Sequence, residues 1–233
     1  MPLQAVENRR LYRQIADQIA ALIRSGEYAA GGRLPPERAL ATQLGVSRPS
    51  VREALIALEV EGYVEVRVGS GVYARRAPPV TRVASLSAET GPFELIRARW
   101  IIEGECAALA AREATPAQVR TMEEALSAME ASRPSGDPLV PDRLFHLCVA
   151  QGSGNSALVL AVQALWEQRM GPLFLQLEHH FDSPELWRTA IAEHHDVLVA
   201  IQKGDARRAR AAMRRHMNNA ARRFSTSWRK KSG

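Results

Sequence analysis

Leu44-Gly45-Val46-Ser47-Arg48-Pro49-Ser50-Val51-Arg52-Glu53-Ala54-Leu55 decides the fold of the first third of the chain. Gly45 ends a helix at low cost because it enters the left-handed region without a Cβ penalty. Ser47 then offers a side-chain oxygen to the open N–H groups of the next helix. Pro49 falls in that helix's first turn, where a missing N–H costs little. Just upstream, Leu34-Pro35-Pro36-Glu37 supplies a helix start, and Ala39, Leu40 and Leu44 give that helix its apolar face. Two short helices joined by a brief Gly-containing connection make a helix-turn-helix, with the second helix expected from about Arg48 to Glu61.

Working outward, Leu11, Ile15, Ile19, Leu22 and Ile23 recur at helical spacing, and Ser25-Gly26 reads as a stop. On the other side, Tyr63-Val64-Glu65-Val66-Arg67 alternates, Gly69-Ser70-Gly71 can turn, and Val72-Tyr73-Ala74-Arg75 returns as a hairpin. A helix-turn-helix followed by a small hairpin is a winged helix, which sets one helix in a DNA major groove. The spacing puts Arg48 and Arg52 on one exposed face, with Val51, Leu55 and Leu58 turned inward. Arginine matches guanine O6 and N7, serine hydroxyls suit bases or phosphates, and Arg38 sits on the preceding helix within reach of the same groove. The plainer alternative is that these arginines only solvate a helix surface.

Arg75-Arg76-Ala77-Pro78-Pro79 ends the strand-like run with charge and a proline pair, which marks a boundary. Beyond it the chain reads as helices over Phe93 to Arg112, Pro116 to Ala131, Pro138 to Gln151, Ser156 to Glu178 (broken at Gly171-Pro172), Pro184 to Gln202 and Asp205 to Trp228. The expectation is a mostly α protein. A winged helix-turn-helix with a small β-hairpin occupies residues 1–76, a linker 77–89, and an antiparallel helical bundle 90–233.

Composition narrows the class. At 233 residues, 46% hydrophobic and 24% charged, the chain can bury a core, and disorder over most of its length is excluded. No run approaches the ~18 apolar residues of a membrane helix, and Glu7, Asn8, Arg9 and Arg10 replace an apolar secretion core, so a cytoplasmic protein is expected. Cys106 and Cys148 lie in apolar helical patterns and read as buried thiols. The net charge of +6 is unevenly placed: +3 over residues 1–76, −7 over 77–202 and +10 over 203–233. The basic final stretch interleaves with Ala206, Ala209, Met213, Met217, Ala220, Ala221 and Phe224, so it reads as the solvated face of a bundle helix pairing with acidic partners more than as a DNA arm.

Leu34-Pro-Pro-Glu-Arg38, Leu44-Gly-Val-Ser-Arg48, Val51-Arg-Glu-Ala-Leu55, Leu58-Glu-Val-Glu-Gly62 and Val66-Arg-Val-Gly-Ser-Gly71 together resemble the N-terminal domain of GntR-family bacterial transcription regulators. The resemblance implies contacts to double-stranded DNA by Arg38, Arg48, Ser50 and Arg52, with Gly69 in the wing.

In the helical half, Asp142 and His146 are four apart and project from one helix face at a spacing that suits two ligands of one ion. His194 or His195, and His216, stand on later helices and can complete a set of three imidazoles and one carboxylate, which suits Zn, Ni or Mn better than Ca or Mg. The competing reading is a histidine satisfied in a polar surface. Asp142-x-x-Phe-His146, Glu193-His194 with Ala200-Ile201-x-x-Gly204-Asp205, and Ala212-Met213-x-x-His216 resemble the effector domain of the FadR subfamily within GntR. That resemblance implies Asp142, His146, His194 and His216 as ligands of a divalent metal. It leaves His195 facing elsewhere and His179 and His180 at a surface or helix end.

Arg97-Ala-Arg99-Trp100-Ile-Ile-Glu103 supplies the last candidate. Arg99 is read either as a clamp for a ligand carboxylate beside the metal or as a partner of Glu103 on a solvated face. By resemblance Arg99 is the effector-binding position. The expected protein is a homodimeric transcription factor and not an enzyme, a repressor by family habit. It reads a palindromic operator, and a small organic acid controls it. Glu53 to Gly71 is similar to regulators of hexuronate and sugar-acid catabolism, which makes a sugar acid the first guess, with lactate-like acids, amino acids and dicarboxylates left open because that stretch lies in the DNA-binding half. The rivals are a metal-dependent hydrolase fused to a DNA-binding module, with Glu193 as the nearest candidate base, and a constitutive binder without operator preference.

Overall fold

The computed structural model describes residues 10–67, 69–76, 90–132, 138–171, 173–175 and 183–226. They divide into two compact units, one built on the residues up to Pro92 and the other on helices between Phe93 and Thr226. The expected linker, 77–89, together with His179, His180 and Trp228, lies outside the described residues.

The first unit follows the order α1 (Leu11–Arg24), α2 (Glu37–Leu44), α3 (Arg48–Val60), β1 (Val64–Arg67), β2 (Gly71–Ala74). Gly45 caps α2 at φ 65°, and its N–H reaches the α2 carbonyls. The Ser47 side chain accepts the Ser50 N–H at 3.3 Å to start α3. α3 is the centre of this core: Val51, Ala54, Leu55, Ile56, Ala57 and Leu58 are fully buried, and α1 packs on it. Burying each such Leu or Ile contributes roughly 1.5–3 kcal/mol. On α1 the buried stripe is Tyr12, Ile15, Ala16, Ile19 and Ile23, whereas Leu11 is 48% exposed. Tyr12 therefore takes the inward place that helical spacing had assigned to Leu11.

Two buried ion pairs lock this unit. Arg13 on α1 pairs with Glu61, the residue after α3, and also holds Asp17 at 2.6 Å. Arg52 on α3 grips Glu37 at the start of α2 through Nε at 2.8 Å and Nη2 at 2.6 Å.

β1 and β2 pair antiparallel, with Val64 opposite Ala74 and Arg67 opposite Gly71. Gly69 (φ 78°) lies in the connection between them, where a Cβ would be strained. The outer edge of β2 is not open. Leu34 N–H donates to Val72 O at 2.8 Å, Ala74 N–H to Gly32 O at 2.8 Å and Gly31 N–H to Ala74 O at 2.7 Å, so residues 31–34 run along it as a third, irregular strand.

The second unit is all-helical: α4 (Pro92–Glu113), α5 (Pro116–Ala131), α6 (Leu139–Gly152), α7 (Ser156–Arg169), α8 (Pro184–Gln202) and α9 (Ala206–Thr226). Thr115 and Gln118 form a capping box at α5, while Asn155 and Ser183 cap α7 and α8. α5 packs on α6 and α8, α6 on α7, and α8 on α9. Trp166, Phe145, Met122, Met129, Val162, Val197 and Met213 fill the interior.

Part of the basic final stretch pairs with carboxylates of this unit. Arg210 and Arg214 of α9 pair with Glu105 of α4 at 2.7 and 3.0 Å, Arg215 with Asp196 at 2.7 Å, and Arg223 with Glu193 at 2.5 Å. Cys106 and Cys148 are buried free thiols, and burial pushes the Cys106 thiol up to about 12. Among the described residues no helix is long and apolar enough to cross a membrane.

Candidate DNA-reading surface and metal centre

The recognition helix divides its arginines unequally. Arg38 is exposed on α2. Arg48 at the start of α3 keeps 38% of its side chain exposed, with Nη2 3.6 Å from Glu37. Ser50 is half-buried, and its hydroxyl lies 2.8 Å from that of Ser47. Arg52 corrects the expectation of a shared exposed face: it is 2% exposed, forked on Glu37. Helical spacing had aligned it with Arg48 correctly, but the neighbouring helix α2 covers that part of the face. Glu37 thus reaches both arginines, a role that sequence reasoning missed. In the wing, Gly69 is flanked by Arg67, whose guanidinium lies 4.3 Å from the Tyr73 ring centre.

In the helical unit, Asp142 and His146 from α6, His194 from α8 and His216 from α9 converge, with ligand atoms all within 4.8 Å of one another and all four residues buried. His146 Nε2 lies 3.1 Å from His194 Nε2, and Asp142 Oδ1 lies 2.9 Å from His194 Nε2 and 3.5 Å from His146 Nε2. His195, left open by spacing, is 57% exposed beside Glu130. One helical step of ~100° turns it away from its neighbour's direction.

The opposite ring nitrogens explain why this set is unusual. His194 Nδ1 donates to the Ala190 carbonyl at 2.7 Å, His216 Nδ1 to Glu193 Oε2 at 2.8 Å, and His146 Nδ1 lies 2.5 Å from Glu103 Oε2, off the ideal hydrogen-bonding direction. A carbonyl or carboxylate that close requires the proton on Nδ1, so each neutral ring turns a bare Nε2 lone pair toward the centre. Asp142 Oδ1, also buried, has no donor. Three lone pairs and a carboxylate oxygen cannot satisfy one another; the arrangement calls for a cation.

The acid–base balance differs between the rings. Burial and the neighbouring His194 hold His216 down to about 3, which keeps its imidazole neutral and available. Burial pulls His146 down too, but Glu103 and Asp142 outweigh it and raise it above its ordinary value. Burial would raise Glu103, yet Arg99 and His146 bring it to about 2. The donor set, three imidazoles and one carboxylate held by second partners, fits Zn, Ni or Mn.

For Arg99 the structure corrects the solvated-face reading. Arg99 does pair with Glu103, through Nε at 2.6 Å, but the pair is buried and not solvated. Its guanidinium lies 4.2 Å from the Trp166 ring centre, and His146 lies 5.3 Å from the same ring. Glu103 was named only as the partner of Arg99, without its contact to His146, and Trp166 was not singled out by sequence. An Arg-x-x-x-Glu pair is common on helices, and a tryptophan at helical spacing looks like core. Glu193, the candidate base of the hydrolase reading, is occupied: it accepts from His216 and from Asn219 Nδ2 at 2.8 Å and pairs with Arg223.

Comparison with known proteins is consistent with both units. Residues 11–74 match the family model of bacterial regulatory proteins of the gntR family, and residues 94–219 match the FCD domain. The chain is 37% identical over 228 residues to the Uxu operon transcriptional regulator of Escherichia coli K12, covering 94% of this chain and 89% of that protein. It is 32% identical over 219 residues to the putative L-lactate dehydrogenase operon regulatory protein of the same strain, covering 90% and 84%. Among solved structures, E. coli McbR/YncC shares the fold with a TM-score of 0.50 at 24% identity, over 93% of this chain and 97% of that one. These relatives are regulators, and none supports the hydrolase alternative. The chain belongs to the GntR family: it is a transcriptional regulator with an N-terminal helix-turn-helix domain and a C-terminal FCD domain, and not an enzyme.

Proposed function

We propose that this regulator is a cytoplasmic homodimeric repressor of a palindromic operator, and that a small organic acid bound with a divalent metal in the helical domain controls its operator affinity. Arg38, Arg48, Ser50 and Arg52 would contact the DNA, with Gly69 letting the wing approach the backbone. Arg48 is partly open to solvent as it stands, whereas Arg52, forked on Glu37 and 2% exposed, would reach DNA only by releasing that carboxylate.

The observation that carries the effector half is the buried convergence of three Nε2 lone pairs and Asp142 Oδ1. An ion held there supplies a Lewis-acidic anchor for carboxylate and hydroxyl oxygens. Asp142, His146, His194 and His216 hold it, Glu103, the Ala190 carbonyl and Glu193 fix the imidazole tautomers, and Arg99 on Trp166 carries positive charge toward an acidic ligand. A sugar acid combines carboxylate and hydroxyls in one molecule and suits both anchors. The ligand changes DNA affinity only by binding one arrangement of the DNA-reading domains better than another, a coupling of typically ~1–3 kcal/mol.

Fluorescence anisotropy with operator DNA, titrated with hexuronates, lactate and dicarboxylates in the presence of zinc or manganese or of EDTA, tests this. The expected result is a five- to hundredfold weakening of operator binding by one acid class, abolished by EDTA, as about 1–3 kcal/mol of coupling requires. Operator affinity unmoved by every acid, with and without metal, overturns it.

A further inference from the structure

We propose that Glu103 is the positioning residue that sets the metal affinity of the centre, and that Arg99 weakens the centre by acting on Glu103. This inference rests on the metal reading above and deepens it into a form of regulation.

The carboxylate of Glu103 is 1% exposed and stands between two groups. Its Oε1 accepts from Arg99 Nε at 2.6 Å, its Oε2 lies 3.4 Å from Arg99 Nη2, and the same Oε2 is 2.5 Å from His146 Nδ1. Through that second contact Glu103 keeps the His146 proton on Nδ1, so that Nε2 points its lone pair to the cluster. It also lends negative charge to the ring, which makes the imidazole a better donor to a cation. Through the first contact Arg99 draws on the same carboxylate. A guanidinium sharing Glu103 lowers the charge that His146 feels and adds a positive charge near the place of a divalent ion. The two neighbours compete for one carboxylate, and the fully buried Trp166, 4.2 Å from the Arg99 guanidinium and 5.3 Å from the His146 ring, stands beside them.

The consequence has a sign. Removing the charge of Glu103 weakens metal binding, whereas removing the charge of Arg99 strengthens it, because Glu103 is left to His146 alone. A ligand carboxylate that neutralised Arg99 would act on Glu103 as the second change does, so metal and acid would reinforce one another's binding.

The test is a zinc titration of the full-length protein by calorimetry with a competing chelator, on wild type, Glu103→Gln and Arg99→Gln, with circular dichroism to check the fold. Glu103→Gln is nearly isosteric and is expected to lose about 10–100-fold in zinc affinity, the range for losing the partner of a ligating histidine. Arg99→Gln is expected to bind zinc more tightly than wild type. Equal loss in both variants would mean a merely structural pair and overturn the proposal, as would wild-type affinity in Glu103→Gln. If Arg99→Gln does not fold, Arg99→Met is read in its place, and a zinc affinity no higher than wild type in the folded variant overturns the part given to Arg99. Failure of the wild type itself to bind zinc is a distinct result that removes the metal reading on which this one stands.

Discussion

Both units bury a completed ion pair, but the helical one, beside its Arg99–Glu103 pair, also buries a cluster that nothing in the chain completes. In the winged helix, the Arg13–Glu61 and Arg52–Glu37 pairs set each buried cation against a buried carboxylate. In the helical domain, Asp142, His146, His194 and His216 bring together acceptors whose donors all point away, toward Glu103, Glu193 and the Ala190 carbonyl. Complete pairing marks a group that holds a fold together. Convergent, uncompensated lone pairs mark a group waiting for something the chain does not supply.

Breaking a completed pair should therefore give the largest stability effect. Glu61→Ala leaves Arg13 buried with only Asp17, and about 3–5 kcal/mol of stability should be lost from the N-terminal domain. Urea unfolding followed by circular dichroism would read this as an early transition, with zinc binding in the helical domain kept. An unchanged transition would show that the pair is solvated and not locked.

The incomplete cluster should respond to pH in a way that the completed pairs do not. His146 is raised above 6.5, so its own proton stabilises the metal-free fold at low pH and that contribution is lost as pH rises through the raised value. A metal must displace that proton. Zinc affinity should then fall about tenfold for each unit of acidification below the His146 pKa. Titrations between pH 8 and 5.5 check the slope; a flat profile would mean that His146 does not ligate.

Arg48→Ala, at the exposed end of the recognition helix, should cost about 1–3 kcal/mol of operator binding and leave the helical content intact. Anisotropy on specific and scrambled DNA separates a lost base contact from a lost phosphate contact. The smallest effect belongs to an exposed pair: Arg215→Ala removes the partner of Asp196 on a solvated surface and should change stability by less than about 1 kcal/mol in the same urea experiment.

Local rules made much of this legible. Gly45, Ser47 and Pro49 announced the turn and the start of α3 because capping is decided within a few residues. Asp142 and His146 share a helix face, so their pairing could be read from spacing. What escaped was set between elements. Residues 31–34 edge the hairpin without periodicity of their own, and the burial of Arg52 depends on α2 lying across it. Tyr12 displaced Leu11 at a helix end, where a single turn carries too little pattern. The choice of His194 over His195 needed the direction of α8, and the parts played by Glu103 and Trp166 needed three helices in place.

Elemental analysis of purified protein dialysed against zinc and then against metal-free buffer, for wild type and His194→Ala side by side, tests the central claim most directly. The account predicts one tightly held ion per chain in the wild type and none in the variant, with both folded. A wild type that retains no ion, or a variant that retains a full equivalent, would contradict it.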